Sequence, residues 1–240
     1  MSFTLERTVY LSLCDHTGRL SPYSVGQIVQ DNITEMLTAE GVPSSYLLES
    51  FGAAWVVLQT DSLYLRLPGL DEKLTAESFA VEKTAARFLA DTVLRDEKGE
   101  VCTCTRVTMC ALDISRARPI RLRTAIGEKL ELRPVVVDPV LELSGDPVKE
   151  EDLGTYVVRS TDLDFLKHAN NVELIRIASS PLSTKEYDEA RVKGLRAVYK
   201  AQAREGDELS VKKLYYPGAR KIVLARGEEI CDEFTFFTEG

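Results

Sequence analysis

The sequence is short of the residues on which metal and disulfide chemistry depend. Among 240 residues there are two histidines, His16 and His168, and five cysteines, Cys14, Cys102, Cys104, Cys110 and Cys231. The cysteine count is odd and no C-x-x-C spacing occurs, which fits a reducing cytoplasm better than a disulfide framework. Two histidines and scattered thiols do not make a zinc site, so no metal is expected. Nor is there a run approaching the roughly 20 apolar residues of a membrane helix. The opening Met1-Ser2-Phe3-Thr4-Leu5-Glu6-Arg7 lacks the apolar stretch and cleavage pattern of a secretory signal. Basic excess is missing as well: a formal charge of −8 argues against nucleic acid as the partner and leaves a small molecule or a protein. What is present is 44% hydrophobic residues, enough for a sizeable core.

One helix stands out over 22–40. Val25, Ile28, Val29, Ile33, Met36 and Leu37 repeat at helical spacing, Ser21-Pro22 supplies a cap and a first-turn proline, and Gly41 and Pro43 stop it. Strand-like runs follow at 54–67, 73–82, 87–95 and 100–113, the last two joined by the hairpin signal Asp96-Glu97-Lys98-Gly99. A helix followed by successive antiparallel strands is an α+β pattern. Periodicity then fades through a charged, proline-rich connection expected to track over the surface. Afterwards the order restarts: a strand at 154–160, a short helix ending before Pro181, and strands at 191–203, 208–216, 221–226 and 229–238.

The two halves look like divergent copies. Leu13-Cys14-Asp15-His16 parallels Ser160-Thr161-Asp162-Leu163 ahead of the helices, and Gly99-Glu100-Val101 parallels Glu228-Glu229-Ile230 at the final hairpins. The expected organisation is a unit over 1–125, a linker over 126–154 and a unit over 155–240, their sheets pairing edge to edge as an internal pseudo-dimer. Contacts between whole chains, as in a homodimer, stay open.

Chemistry concentrates in one place. Asp162-Leu163-Asp164-Phe165-Leu166-Lys167-His168-Ala169-Asn170-Asn171 crowds two carboxylates, a histidine and paired asparagines into the entrance of the short helix. An Asp and a His four residues apart form an acid/base pair close to helix N–H groups that can stabilise an oxyanion. The same residues also have a plain structural use, since Asp and Asn gather before helices to cap them.

This segment resembles the D-L-D-x-N-x-H-x-N-N signature of the acyl-acyl-carrier-protein thioesterases. Trp55-Val56-Val57-Leu58, Arg66-Leu67-Pro68, Ala86-Arg87-Phe88 and Ala111-Leu112-Asp113 through Arg118-Pro119 resemble landmarks of the family's first half, and Tyr199 through Gly206-Asp207 one of its second. The resemblance implies a double hot-dog fold and a cytoplasmic enzyme of fatty acid biosynthesis. Its activity would be cofactor-free hydrolysis of the thioester between a fatty acyl chain and the phosphopantetheine arm of acyl carrier protein. It further implies catalysis by Asp164 and His168 in the second unit, Asn170, Asn171 and Val172 against the substrate, and an acyl-tail pocket in the first unit.

Two departures accompany it. The signature Asn falls on Leu166, and the family's Glu, often followed by Cys, falls on Gln202 and Ala203. Leucine neither donates nor accepts a hydrogen bond, and Gln202, the third catalytic position, can hold a water but cannot take a proton. They favour an alternative on the same fold, a non-catalytic protein binding acyl chains or the carrier; a hot-dog dehydratase is a more distant one. An acidic carrier also needs a local basic surface on this acidic chain, for which Arg116, Arg118, Arg121 and Arg123, or Lys212, Lys213, Arg220 and Lys221, are candidates.

Overall fold

The computed structural model describes residues 2–126, 129–189 and 191–239. The first unit runs β1 (Phe3–Thr8), α1 (Pro22–Ala39), α2 (Ser44–Phe51), β2 (Ala53–Tyr64), β3 (Lys73–Lys83), β4 (Phe88–Asp96), β5 (Val101–Asp113), β6 (Arg118–Pro119) and α3 (Leu122–Ile126). The second runs β7 (Lys149–Val157), α4 (Asn171–Ser179), α5 (Thr184–Glu189), β8 (Val192–Tyr199), β9 (Glu208–Tyr216), β10 (Ala219–Arg226) and β11 (Glu229–Thr238). The main sheet has the order β1-β3-β4-β5-β2-β8-β11-β10-β9-β7, with β6 beside β5. Each half is a helix laid on an antiparallel sheet, and the halves join where β2 pairs with β8, so the fold is a double hot-dog.

α1 forms where the periodicity places it. Ser21 Oγ accepts from the Ser24 amide at 3.0 Å, and the stripe from Val25 to Leu37 is buried on the sheet. Asn32, fully buried in that stripe, donates to Ser78 Oγ at 2.8 Å, and Ser78 in turn bonds Thr92 at 2.7 Å. A buried amide with fixed partners sets the helix in one position over β3 and β4, because sliding would orphan it. Against α4 the contact is close: a Cβ on Gly26 would lie 3.2 Å from the Ile175 methyl.

The connection crosses the sheet face opposite the helices. Arg133 pairs with Glu77, the Cys104 thiol bonds the Val137 carbonyl at 3.2 Å, and Asp138 meets Arg106 at 3.0 Å. Farther along, Leu141 lies on Gly194, where a Cβ would also come within 2.6 Å of the Ser62 carbonyl. Residues 149–154, expected in the linker, belong to β7, which spans 149–157 rather than 154–160. Its Lys149-Glu150-Glu151-Asp152 start is an exposed, charged sheet edge, a composition that protects edges but hides the strand from a hydrophobic pattern. The other edge strand, β1, is only six residues long, and the short α2 buries only Leu47, so neither stands out in a hydrophobic pattern. β8 stops at Tyr199 instead of 203, because Asp207 caps the Arg204 amide at 2.9 Å and Gly206 turns at φ +85°.

The internal repeat is real, with one register corrected. Cys102 and Cys231 both direct their thiols at the carbonyl two residues back, so Gly99-Glu100-Val101 does match Glu228-Glu229-Ile230. Ahead of the helices, however, Asp15 matches Asp164 and not Asp162. The bridges Cys14↔Leu20 and Leu163↔Ala169 enclose equivalent turns, and Ser21 and Asn170 cap α1 and α4. The expected parallel was two residues out because Asp162 and Asp164 fit a lone aspartate equally well.

At the junction Arg196 Nε meets Asp61 Oδ1 at 2.6 Å, and Asp61 is 3% exposed. Replacing Arg196 by Leu should cost about 3–5 kcal/mol in urea unfolding, because it strands a buried carboxylate. The exchange Asp61→Arg with Arg196→Asp should recover most of that loss.

Candidate active site

Asp164 is held in a turn by its own backbone and side chain. Its amide donates to the His168 carbonyl at 2.8 Å, and its Oδ1 accepts from the amides of Leu166 at 2.8 Å and His168 at 3.1 Å. Lys167 completes the turn at φ +61°, a left-handed conformation that costs a non-glycine residue free energy. Asp164 is thus tied to the backbone of His168, and among the described residues no hydrogen bond engages the imidazole or Asp164 Oδ2. Both side chains are half-buried.

The turn feeds directly into α4. Asn170 caps the helix, its Oδ1 accepting from the Val172 amide at 2.9 Å, while its own amide donates to the Asp162 carbonyl. That leaves the amides of Asn171 and Glu173 without a protein acceptor among the described residues, at the positive end of the helix dipole. Asn171 offers its carbonyl to the Tyr199 hydroxyl at 3.3 Å. Val172 is buried near Gly26 in the α1–α4 contact. Gln202 lies beyond β8 with an exposed side chain, yet its neighbour Ala203 accepts from the Ala169 amide at 2.8 Å. Sheet end and turn are therefore pinned together, with His168 and Gln202 on adjacent residues of that bond.

Asp162 anchors the arrangement from behind. Fully buried, it accepts from Tyr156 Oη and the Arg159 amide at 2.8 Å and from Arg176 Nη2 at 2.9 Å. Arg176 also pairs with Glu173, which takes a bond from Tyr23 on α1 at 2.7 Å. Burial and the Glu173 carboxylate push the Tyr23 hydroxyl up to about 12, so it stays a donor at neutral pH. Tyr156, Arg159, Thr161, Asp162, Glu173 and Arg176 line an open cleft of about 450 Å³, and Asp164 and His168 are not among its lining residues.

One titratable group escaped the sequence reading. Asp232 on β11 is 1% exposed and its Oδ2 has no protein partner among the described residues. It sits directly across from Tyr199, whose hydroxyl reaches α4. Burial alone pushes its carboxyl up to about 7. A signal was available, since 232 shares the strand parity of the core residues Phe234 and Phe236.

The residues present offer no metal cluster: among those described, no group of three or more His, Cys, Asp or Glu converges. The thiols are free and four of them buried, with burial raising Cys102, Cys104, Cys110 and Cys231 away from thiolate character. Among the described residues no helix is long and apolar enough to cross a membrane.

No family model and no curated protein matches the sequence. Solved structures do. An acyl-ACP thioesterase from Bacteroides thetaiotaomicron VPI-5482 superposes with a TM-score of 0.87 at 17% identity over 99% of this chain and 98% of that one. A provisionally designated oleoyl thioesterase from Lactobacillus plantarum gives 0.84 at 17% identity over 100% and 96%. The 12:0-ACP thioesterase from Umbellularia californica gives 0.81 at 14% over 99% and 97%. The chain shares their fold over its full length.

Two measurements check this description. Asp164→Ala should lower stability by about 1–2 kcal/mol through loss of its two amide bonds, whereas Asp164→Asn, which keeps an acceptor oxygen, should lose less. For Asp232 the folded state holds a proton that the unfolded chain releases near pH 4. Its contribution is therefore largest below that pH and is lost as pH rises to about 7. Wild type measured against Asp232→Asn by urea unfolding should lose stability across that window and level off above it.

Proposed function

We propose that this protein is a cytoplasmic thioesterase that hydrolyses fatty acyl-ACP to free fatty acid and holo-ACP, in fatty acid biosynthesis. The observation that carries the reading is the turn in which Asp164 is bonded to the His168 backbone directly ahead of α4. It is supported by full-length likeness of fold to three structures whose names describe thioesterases. The unit over 155–240 does the chemistry, and the unit over 1–125 takes the acyl tail between α1 and the sheet.

In this mechanism Asp164 Oδ2 and the His168 imidazole, neither bonded to a described protein group, receive the water. The water oxygen attacks the thioester carbon as its proton passes to this pair, and the carbonyl oxygen takes up negative charge facing the Asn171 and Glu173 amides. Collapse breaks the C–S bond, and His168 returns a proton to the pantetheine sulfur. Gln202 contributes at most a hydrogen bond to the water. The second reading, a non-catalytic acyl-chain or carrier-binding protein, draws on Leu166 and Gln202.

Release of free acid from acyl-ACP of several chain lengths separates the two. Wild type should turn over at least one substrate, and Asp164→Asn and His168→Ala should each be slower by about a hundredfold or more. Product that persists undiminished in both variants removes the assigned roles, and no product from wild type favours the binder. Leu166→Asn should raise turnover, by up to about a hundredfold if the new amide supplies an oxyanion donor.

A further inference from the structure

The two basic clusters of the sequence have different surroundings. Lys212 is matched by Glu150 at 2.9 Å, Lys213 and Arg220 by Glu186 at 2.7 and 3.4 Å, and Lys221 by Glu233 at 2.6 Å. Every cation of that cluster has a carboxylate partner within the fold, Glu186 serving two of them. The other cluster differs. Arg118, Arg121 and Arg123 are exposed and in no ion pair among the described residues, and Arg116 has only Asp113 at 3.7 Å. Exposed Arg87 joins them, because the Leu122 amide bonds the Ala85 carbonyl at 2.9 Å and brings the two segments together. Five arginines beside one aspartate make a strongly positive patch on a chain of net charge −8.

The location matters as much as the sign. β5 ends at Asp113, whose partner Ala53 begins β2. β8 runs antiparallel to β2 and ends at Tyr199, shortly before the Ala203 carbonyl that holds the His168 turn. The arginines and the turn thus occupy the same end of the sheet, with β5 and β2 between β8 and the strand β6 that carries Arg118, a lateral separation of about 15 Å. Phe165, 72% exposed in the turn, stands at that end too.

We infer that Arg87, Arg116, Arg118, Arg121 and Arg123 form the docking surface for an acidic acyl carrier protein, seated so that its prosthetic arm runs from the patch to the His168 turn. This rests on the function proposed above. Unpaired guanidiniums lose no internal partner when a carboxylate arrives, and they attract an acidic partner that the rest of the chain repels. The paired lysine cluster offers neither advantage.

Binding is measured with fluorescently labelled apo-ACP, which has no arm and needs no chemistry. Fluorescence anisotropy should show Kd rising by about tenfold or more for Arg118→Glu with Arg121→Glu, with a weaker salt dependence, and little change for Lys212→Glu. In turnover, the double variant should raise KM for acyl-ACP with kcat within about twofold of wild type, and leave acyl-CoA kinetics unchanged. Equal binding by wild type and the arginine variant overturns the inference, as does no binding by wild type or an equal loss in Lys212→Glu. A matching rise in KM for acyl-CoA also overturns it, because the patch would then read a nucleotide phosphate. If wild type hydrolyses neither thioester but the arginine variant alone loses apo-ACP, the thioesterase reading fails and the docking surface stands.

Discussion

The pairing of β2 with β8 is the contact on which the rest of the molecule depends. Without it each unit would end in an open edge of unpaired amides and carbonyls, and neither helix would have the other to pack on. The seam carries its own specificity. Arg66 and Ala201 donate to the carbonyls of Cys102 and Cys231, so position 66 corresponds to 201, and Asp61 corresponds to Arg196. The register pairs Asp61 with Arg196 across the seam. Two identical copies would set like against like at that central position. A chain containing both copies lets one be acidic and the other basic, so the cross-unit pairing is attractive where self-pairing of either copy would repel. The same row continues outward, with Arg106 beside Asp61 in the register and bidentate to Asp91.

That divergence between copies also separates scaffold from site. In the first unit Asp15 organises a turn by accepting from the Thr17 amide and hydroxyl, with Gly18 at φ +73° and Arg19 closing it. In the second, Asp164, Lys167 and His168 take those places. The backbone device is shared by the two units; what differs is the side chain at its closing position, a guanidinium in one and an imidazole in the other. His16, by contrast, falls opposite Phe165 and lies edge-on to Tyr187 with ring centroids 5.8 Å apart.

Sequence periodicity could see what alternates and was blind to what does not. The stripe of α1 and the central strands were legible because burial imposes a period on residue choice. β7 carries charges on an exposed edge, where no such period is imposed, β1 is only six residues long, and the turn after β8 is fixed by Asp207 and Gly206, which a hydrophobic pattern ignores. Within the site, Asp164 and His168 were legible as an adjacent pair, and Asn170 as a cap. Illegible was the division of labour between the two nearby carboxylates: Asp162 is spent on Tyr156 and Arg176, a fact that depends on residues 6 and 14 positions away. Asp232 was missed because a single aspartate in a strand reads as a solvent-facing residue until the sheet order puts it on the helix side.

The turn itself bears on how Leu166 should be understood. Thr17 contributes both its amide and its hydroxyl to Asp15, yet Leu166 contributes its amide alone to Asp164, and the second bond comes instead from the His168 amide. The loop therefore closes without any polar side chain at position 166. Folding consequently places no demand on that side chain, and the asparagine of the signature this segment resembles would have to be explained by chemistry rather than by the turn. On the thioesterase reading proposed above, a leucine there withholds a donor while the backbone bonds that hold Asp164 and His168 stay in place. On that same reading residue 166 bears on what the site can polarise and not on its frame, so activity and architecture can be tested at this position independently.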